Sequence, residues 1–83
     1  MDKLLIILEV PSISSQFELE LPDFVAIKIL IPRLVRAVRE LSGGLYSSSE
    51  TEFLCARNQN LLMDEDACLK DYDIGNGDHL ILM

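Results

Sequence analysis

The side chains that could support chemistry are few and scattered along the 83-residue chain. The adjacent acids Asp64, Glu65 and Asp66 lack the alternating spacing of a calcium loop. His79 has no second ligand near it in the sequence, so we expect it to be an edge residue of a strand and not a metal ligand. The serines at 47–49 have no Gly-x-Ser-x-Gly setting and no nearby histidine, which gives no support to nucleophilic catalysis. We therefore predict that the protein is not an enzyme and uses no cofactor or metal.

The two cysteines also give no sign of a reactive site. Cys55 and Cys68 form no Cys-x-x-Cys pair and have no neighbouring histidine, so neither a zinc site nor a disulfide framework is predicted. We interpret both as small apolar residues that fill gaps in the fold. The glycines of the sequence SGG at 42–44 are not followed by the lysine and the Ser or Thr of a phosphate loop, and SGG is better interpreted as the end of a helix.

The charge balance argues against two classes of partner. Fourteen acidic residues against seven basic ones give a net charge of −7, which opposes non-specific binding to nucleic acid and to anionic lipid. No apolar stretch approaches the roughly 18 residues that a membrane-spanning helix needs, and the first residues lack the features of a signal peptide. We expect a cytoplasmic protein that binds other proteins, inserts into no membrane directly and reaches a membrane only through a partner.

The first two elements have the alternation of strands. The sequence KLLIILEV at 3–10 is apolar on both faces, and QFELEL at 16–21 places Phe17, Leu19 and Leu21 opposite polar neighbours. The break between them, PSISS, is typical of a turn. The two segments therefore predict a β-hairpin in which the second strand has one solvent-exposed face.

A change of period then predicts one helix, over residues 26–41. Apolar residues recur at spacings of three and four, Asp23 could cap the entry, and Pro32 should cause a kink or a late regular start. Four basic side chains share the solvent side of this helix. They are either a weaker binding surface for an acidic partner or simply a solvated face: Lys28, Arg33, Arg36 and Arg39.

The remaining chain predicts a third strand at TEFLCAR, a short apolar piece at 61–63, a tight local unit, and a last strand at 79–83 that follows a turn. The order is strand, strand, helix, strand, short strand, strand. A helix across one face of a mixed sheet buries these apolar stripes, so we expect a single α+β domain over residues 1–83.

Two segments carry a resemblance to a known family. LKDYDIGNGDHLIL at 69–82 resembles the C-terminal pattern of the YukD/EsaB family of small ubiquitin-like proteins of type VII (WXG100, also called ESX) secretion. LPDFVAIKILIPRLVRAV at 21–38 is similar to the helix entry of that family, although Ala26 stands where proline is common. Leu69, Tyr72 and Ile74 also match ubiquitin, in which the tyrosine braces a turn.

The resemblance implies a ubiquitin-like β-grasp fold and a bacterial, non-catalytic accessory or adaptor component of the secretion system. Its partners would be other secretion proteins, such as the cytosolic part of a membrane component or an ATPase, and a homodimer is an alternative. Because the chain stops at LILM without a Gly-Gly tail, we expect docking and not conjugation. A ubiquitin-like modifier or sulfur-carrier co-substrate with a truncated tail, a β-grasp adaptor of another pathway, and a small enzyme are the alternatives.

The β-grasp topology implied by the resemblance explains why the first strand is apolar on both faces. If its polar ends mark the solvent side, its even-numbered residues face the helix and the others form part of an open surface. The same alternation applied to the third and last strands gives a partner-binding or self-association surface, unless a loop covers it or the register is reversed. The surface would consist of Leu5, Ile7, Phe53, Cys55, Ile81 and Met83.

Overall fold

The structure is a computed structural model that describes residues 3–47 and 51–83, so two of the three serines at 47–49 lie outside it. Strands β1 (Lys3–Val10) and β2 (Ser15–Pro22) pair antiparallel along their whole length, as the alternation predicts. The turn between them is a short 3₁₀ segment, Pro11–Ile13, followed by Ser14 in the left-handed conformation with φ of 51°.

Five strands form one mixed sheet in the order β2-β1-β5-β3-β4. The later strands are β3 (Leu54–Ala56), β4 (Leu61–Leu62) and β5 (His79–Leu82). β5 lies parallel to β1 and antiparallel to β3, and β1 lies between β2 and β5. β3 is shorter than the sequence TEFLCAR predicts.

Helix α1 (Ile27–Leu41) begins without a side-chain cap, because its N-cap residue is Ala26. The expectation that Asp23 caps the helix is therefore wrong. Backbone carbonyls of a distant turn take that role: Ile27 donates its N–H to the carbonyl of Ala67 at 2.8 Å, and Lys28 donates to the carbonyl of Glu65 at 3.0 Å. These bonds satisfy N–H groups that have no partner within a helix.

The helix continues through Pro32, five residues after its start, so the late regular start expected from this proline is wrong. Proline removes one N–H from the helix interior, and packing of the apolar face offsets that loss. The end is where the sequence predicts it. Gly43 and Gly44 have positive φ values of 66° and 88°, and the N–H of Gly44 donates to the carbonyl of Arg39 at 2.9 Å.

One hydrophobic core lies between α1 and the sheet. Ile6, Leu8 and Val10 are fully buried on β1, whereas Leu5 on the same strand is exposed, which confirms the predicted direction of the side chains. Leu4 is half-buried and packs against the same core. The helix and the other strands contribute Leu21, Ile27, Leu30, Leu34, Val38, Leu54, Ala56, Leu80 and Leu82. Tyr46, Met63, Leu69 and Ile74, which lie outside α1 and the strands, belong to the same core.

The C-terminal sequence motif has a structural explanation in hydrogen bonds. The side-chain oxygen of Asn76 accepts the N–H of Leu5 at 2.8 Å, and Gly77, with φ of 85°, donates its N–H to the carbonyl of Leu5 at 2.7 Å. Asp78 accepts the N–H of Gly75 at 2.8 Å and so closes the turn. The motif therefore ties the turn before β5 to the start of β1.

Tyr72 braces the neighbouring turn, as the resemblance to ubiquitin implies. It lies at the end of a 3₁₀ segment, Leu69–Tyr72, and its hydroxyl accepts the N–H of Asp64 at 2.7 Å. The acidic turn around Asp64 is thereby fixed next to the start of α1.

Two leucines of α1 test how much of the stability comes from the face that packs on the sheet. Leu34 is 1% exposed and Leu41 is 56% exposed. We expect Leu34→Ala to lower the free energy of unfolding by about 2–5 kcal/mol, because it leaves a cavity in the core. Leu41→Ala, the matched control, should change it by about 0.5 kcal/mol or less in the same urea titration. Equal losses would contradict the position of the core.

Candidate docking surface on the open face of the sheet

The side chains predicted to form a partner surface all lie on the sheet face opposite α1. Leu5, Phe53 and Met83 are 47%, 41% and 50% exposed. Ile7, Cys55 and Ile81 are half-buried. We call these six residues together with Leu62 the outer surface. Alternation along the strands places them there, although a role for them in binding remains a prediction.

The β5, β3 and β4 part of the outer surface contains a shallow hollow. Ile81 lies opposite Cys55, and Cys55 lies opposite Leu62 on β4, so the three side chains share one row across the sheet. Together with Met83 they line a hollow of about 170 Å³. Leu62 is 57% exposed and was missed by the sequence prediction, which gave no register for the short fourth strand.

A polar bridge crosses the outer surface between its two apolar parts. The Oε2 atom of Glu9 on β1 accepts Nη1 of Arg57 at 2.6 Å and lies 2.8 Å from Nδ1 of His79 on β5. In the register, Ile7 lies beside His79 and Glu9 lies beside Ile81, so the bridge separates Ile7 from Ile81. The six predicted residues therefore form two neighbouring apolar patches and not one uninterrupted patch.

The prediction that His79 is an edge residue is wrong. β5 lies between β1 and β3 in the interior of the sheet, and the imidazole contacts Glu9 across the parallel pair. The sequence offered no signal for this contact, because 70 residues separate the two side chains along the chain.

The bridge also fixes the ionisation of Glu9. The hydrogen bond from Arg57, and after it the hydrogen bond with His79, hold the pKa of the Glu9 carboxyl below its ordinary value of 4.5. Glu9 is therefore a carboxylate at neutral pH, and a partner on this face meets a fixed anion with a guanidinium and an imidazole beside it.

The predicted basic face of α1 is less uniform than the sequence suggests. Lys28 is bound to Asp66, with 2.9 Å between Nζ and Oδ1, and this contact raises the pKa of the lysine. Three arginines are exposed on the remaining helix surface: Arg33, Arg36 and Arg39. The basic face therefore consists of these arginines, whereas Lys28 belongs to the contact between the helix start and the acidic turn.

Other titratable side chains act in local structure. The Asp71 carboxylate accepts the backbone N–H of Cys68 at 2.9 Å and its thiol at 3.4 Å, so Cys68 is more than a filler. Burial, and then Asp71, raise the pKa of this thiol. Tyr46, which sequence reasoning missed, is buried and donates to Glu52 at 2.8 Å, and burial is the main cause that raises its pKa to about 12.

Within residues 3–47 and 51–83, no three histidine, cysteine or acidic side chains are grouped closely enough to hold a metal ion. None of the helices in that part of the chain has the length and apolarity to cross a membrane.

The lowered pKa of Glu9 predicts a pH dependence of stability. Because the folded-state pKa lies below the ordinary value, the contribution of Glu9 is present above that value and disappears as pH falls through the folded pKa. The free energies of unfolding of the protein and of Glu9→Gln should therefore converge as pH falls from about 7 to about 3. In an Arg57→Met background the convergence should be smaller; the same convergence in both backgrounds would contradict the bridge.

The fold that carries the outer surface is similar to several solved structures. The ubiquitin-like domain of the type VII secretion protein EccD1 from Mycobacterium tuberculosis superimposes with a TM-score of 0.79 at 18% identity, covering 100% of this chain and 99% of that chain. The ubiquitin-like domain of EccD5 from Mycobacterium xenopi gives 0.75 at 17% identity, with coverages of 100% and 94%. A ubiquitin-like domain from Arabidopsis thaliana gives 0.73 at 15% identity, with coverages of 100% and 78%. These likenesses show a ubiquitin-like β-grasp fold.

A search of curated proteins gave no match. The model of the family described as "WXG100 protein secretion system (Wss), protein YukD" matches residues 5–82, which is nearly the whole chain. The chain therefore belongs to the YukD family of the WXG100, or type VII, protein secretion system.

Proposed function

We propose that this YukD-family protein is a non-catalytic adaptor of the secretion system and that it docks on another protein of that system through its outer surface. The supporting observation is the exposure of large apolar side chains on the sheet face that α1 does not cover. Leu5, Leu62 and Met83 are about half exposed there. Exposed apolar patches on a small domain, especially with polar groups beside them, are typical of interaction sites.

The polar bridge adds specificity to this surface. A partner that covers Ile81 and Met83 must also meet the Glu9 carboxylate and the guanidinium of Arg57, which is half-exposed. Buried charges need a matching partner, so a protein with the wrong polar groups would lose affinity. We propose the cytosolic part of a membrane component, or the ATPase of the system, as the partner.

Phe53 and Phe24 allow a matched test. Phe53 lies on the outer surface, and Phe24, which is 55% exposed, lies between β2 and α1. Phe53→Asp should weaken binding to the purified cytosolic part of the membrane component or ATPase by about 30-fold, the effect typical of a central interface residue. Phe24→Asp should leave the affinity unchanged in the same calorimetric titration. Equal affinities of both variants would argue against the outer surface.

A second test asks whether the exposed arginines of α1 contact the partner. If their exposed charges only solvate the helix, Arg33→Glu with Arg36→Glu should leave the affinity for the same partner and its dependence on salt unchanged. If they meet an acidic partner surface, the double variant should weaken binding most at low salt. Comparing titrations at low and high ionic strength distinguishes the two roles.

A further inference from the structure

Strand β2 is an edge of the sheet and has eight residues, whereas β4 at the other edge has two. No element of the described residues pairs with β2 on its outer side. An edge of this length presents a row of N–H and C=O groups that can pair with an added strand.

The contacts of β1 determine which groups of β2 lie on the open edge. Leu5 and Ile7 direct backbone groups toward the turn before β5: Leu5 accepts the N–H of Gly77, and Ile7 donates to the carbonyl of Asp78 at 2.9 Å. The direction alternates along a strand, so the even-numbered residues of β1 bond to β2. Their partners Phe17, Leu19 and Leu21 bond back to β1.

The other residues of β2 therefore direct their N–H and C=O groups toward the open edge. They are Gln16, Glu18 and Glu20, and all three side chains are exposed on the outer face. Pro22, which has no N–H, ends the usable edge. Among the described residues, Gln16, Glu18 and Glu20 make only one ion pair. It joins Nζ of Lys3 to Oε1 of Glu20 over 3.9 Å, and both side chains are largely exposed.

A second copy of the chain is a poor occupant of this edge. A symmetric dimer would pair the two β2 strands antiparallel. If the twofold axis passes through Glu18, the Glu18 side chains of the two copies lie opposite each other. If it passes through Leu19, Glu18 of each copy lies opposite Glu20 of the other copy. These two registers pair nearly the whole strand, and like charges directly opposite each other are destabilising.

We propose that β2 accepts an extended segment of a partner protein as a sixth strand, and that this segment alternates basic residues with apolar ones. Its basic side chains lie opposite Glu18 and Glu20 on the outer face. Its apolar side chains lie on the inner face, where Phe17 and Leu19 are only half-buried. Glu18 lies beside Ile7 and Glu20 beside Leu5, so this edge borders the outer surface. The added strand pairs with backbone groups of β2 that the docking site proposed above does not use, so the two proposals are tested independently.

Charged residues on an edge strand also protect proteins against unwanted pairing. Protection and recognition differ in one measurable respect. A purely protective edge pairs with no added strand. The proposed edge does not pair with β2 of a second copy, but it pairs with a strand that carries basic side chains.

The probe is a capped hexapeptide of alternating lysine and valine. One comparison peptide replaces each lysine by glutamate, and another keeps the composition but groups the lysines together. NMR of the labelled full chain should show that the alternating basic peptide binds most tightly. It should also slow hydrogen exchange at the amides of Gln16, Glu18 and Glu20, and leave the amides of α1 unchanged.

Glu18→Lys with Glu20→Lys should weaken binding of the alternating peptide by roughly tenfold, as two attractive cross-strand pairs become repulsive. Glu18→Gln with Glu20→Gln should cause a smaller loss of affinity for the same peptide. Because glutamine has nearly the same shape as glutamate, this variant also controls for a folding defect. Glu40→Lys with Glu65→Lys is the matched control, because it changes the net charge equally at positions outside the sheet.

Three results would overturn the proposal. The first is an equal loss in the control, which would mean unspecific attraction. The second is unchanged exchange at the three edge amides, which would mean a protective edge. The third is concentration-dependent dimerisation of the unmodified protein with protection of those amides, which would make a second copy the occupant.

Discussion

The parallel pairing of β1 with β5 brings the first and last strands of the chain together at the centre of the sheet. Every other element is placed relative to this pair: β2 continues the sheet from β1, and β3 continues it from β5. One helix of 15 residues covers one face of the sheet. The apolar residues on the other face of the two central strands, such as Leu5 and Ile81, therefore remain partly accessible.

The features predicted correctly from the sequence are those with a local period. The alternation of Phe17, Leu19 and Leu21 with polar neighbours defines β2, and the polar ends of β1 give the correct direction of its side chains. Apolar spacing likewise locates α1 to within one residue at its start, because burying a stripe outweighs the unfavourable proline inside it.

The features that could not be predicted from the sequence depend on contacts between residues far apart in the chain. Asp23 has the right type to cap α1, but the actual acceptors are the carbonyls of Glu65 and Ala67. A backbone carbonyl has no sequence signature, so no local pattern could reveal this. The same holds for the contact of Glu9 with His79, which requires the register of a parallel pair.

The polar bridge changes the character of the open face. An uninterrupted apolar sheet face invites unspecific association, whereas charged groups inside it restrict the partners that can cover it. Glu9 lies on β1, His79 lies on β5 and Arg57 directly follows β3, so their arrangement exists only when the sheet is assembled.

The capping of α1 by the turn at 64–68 links two parts of the chain that are about half its length apart. The N–H groups of Ile27 and Lys28 acquire their acceptors only when the later residues have been placed. The first turn of the helix therefore cannot reach its full stability during synthesis until the C-terminal half has emerged and folded. Such long-range closure slows folding and joins the helix and the last strands into one cooperative unit.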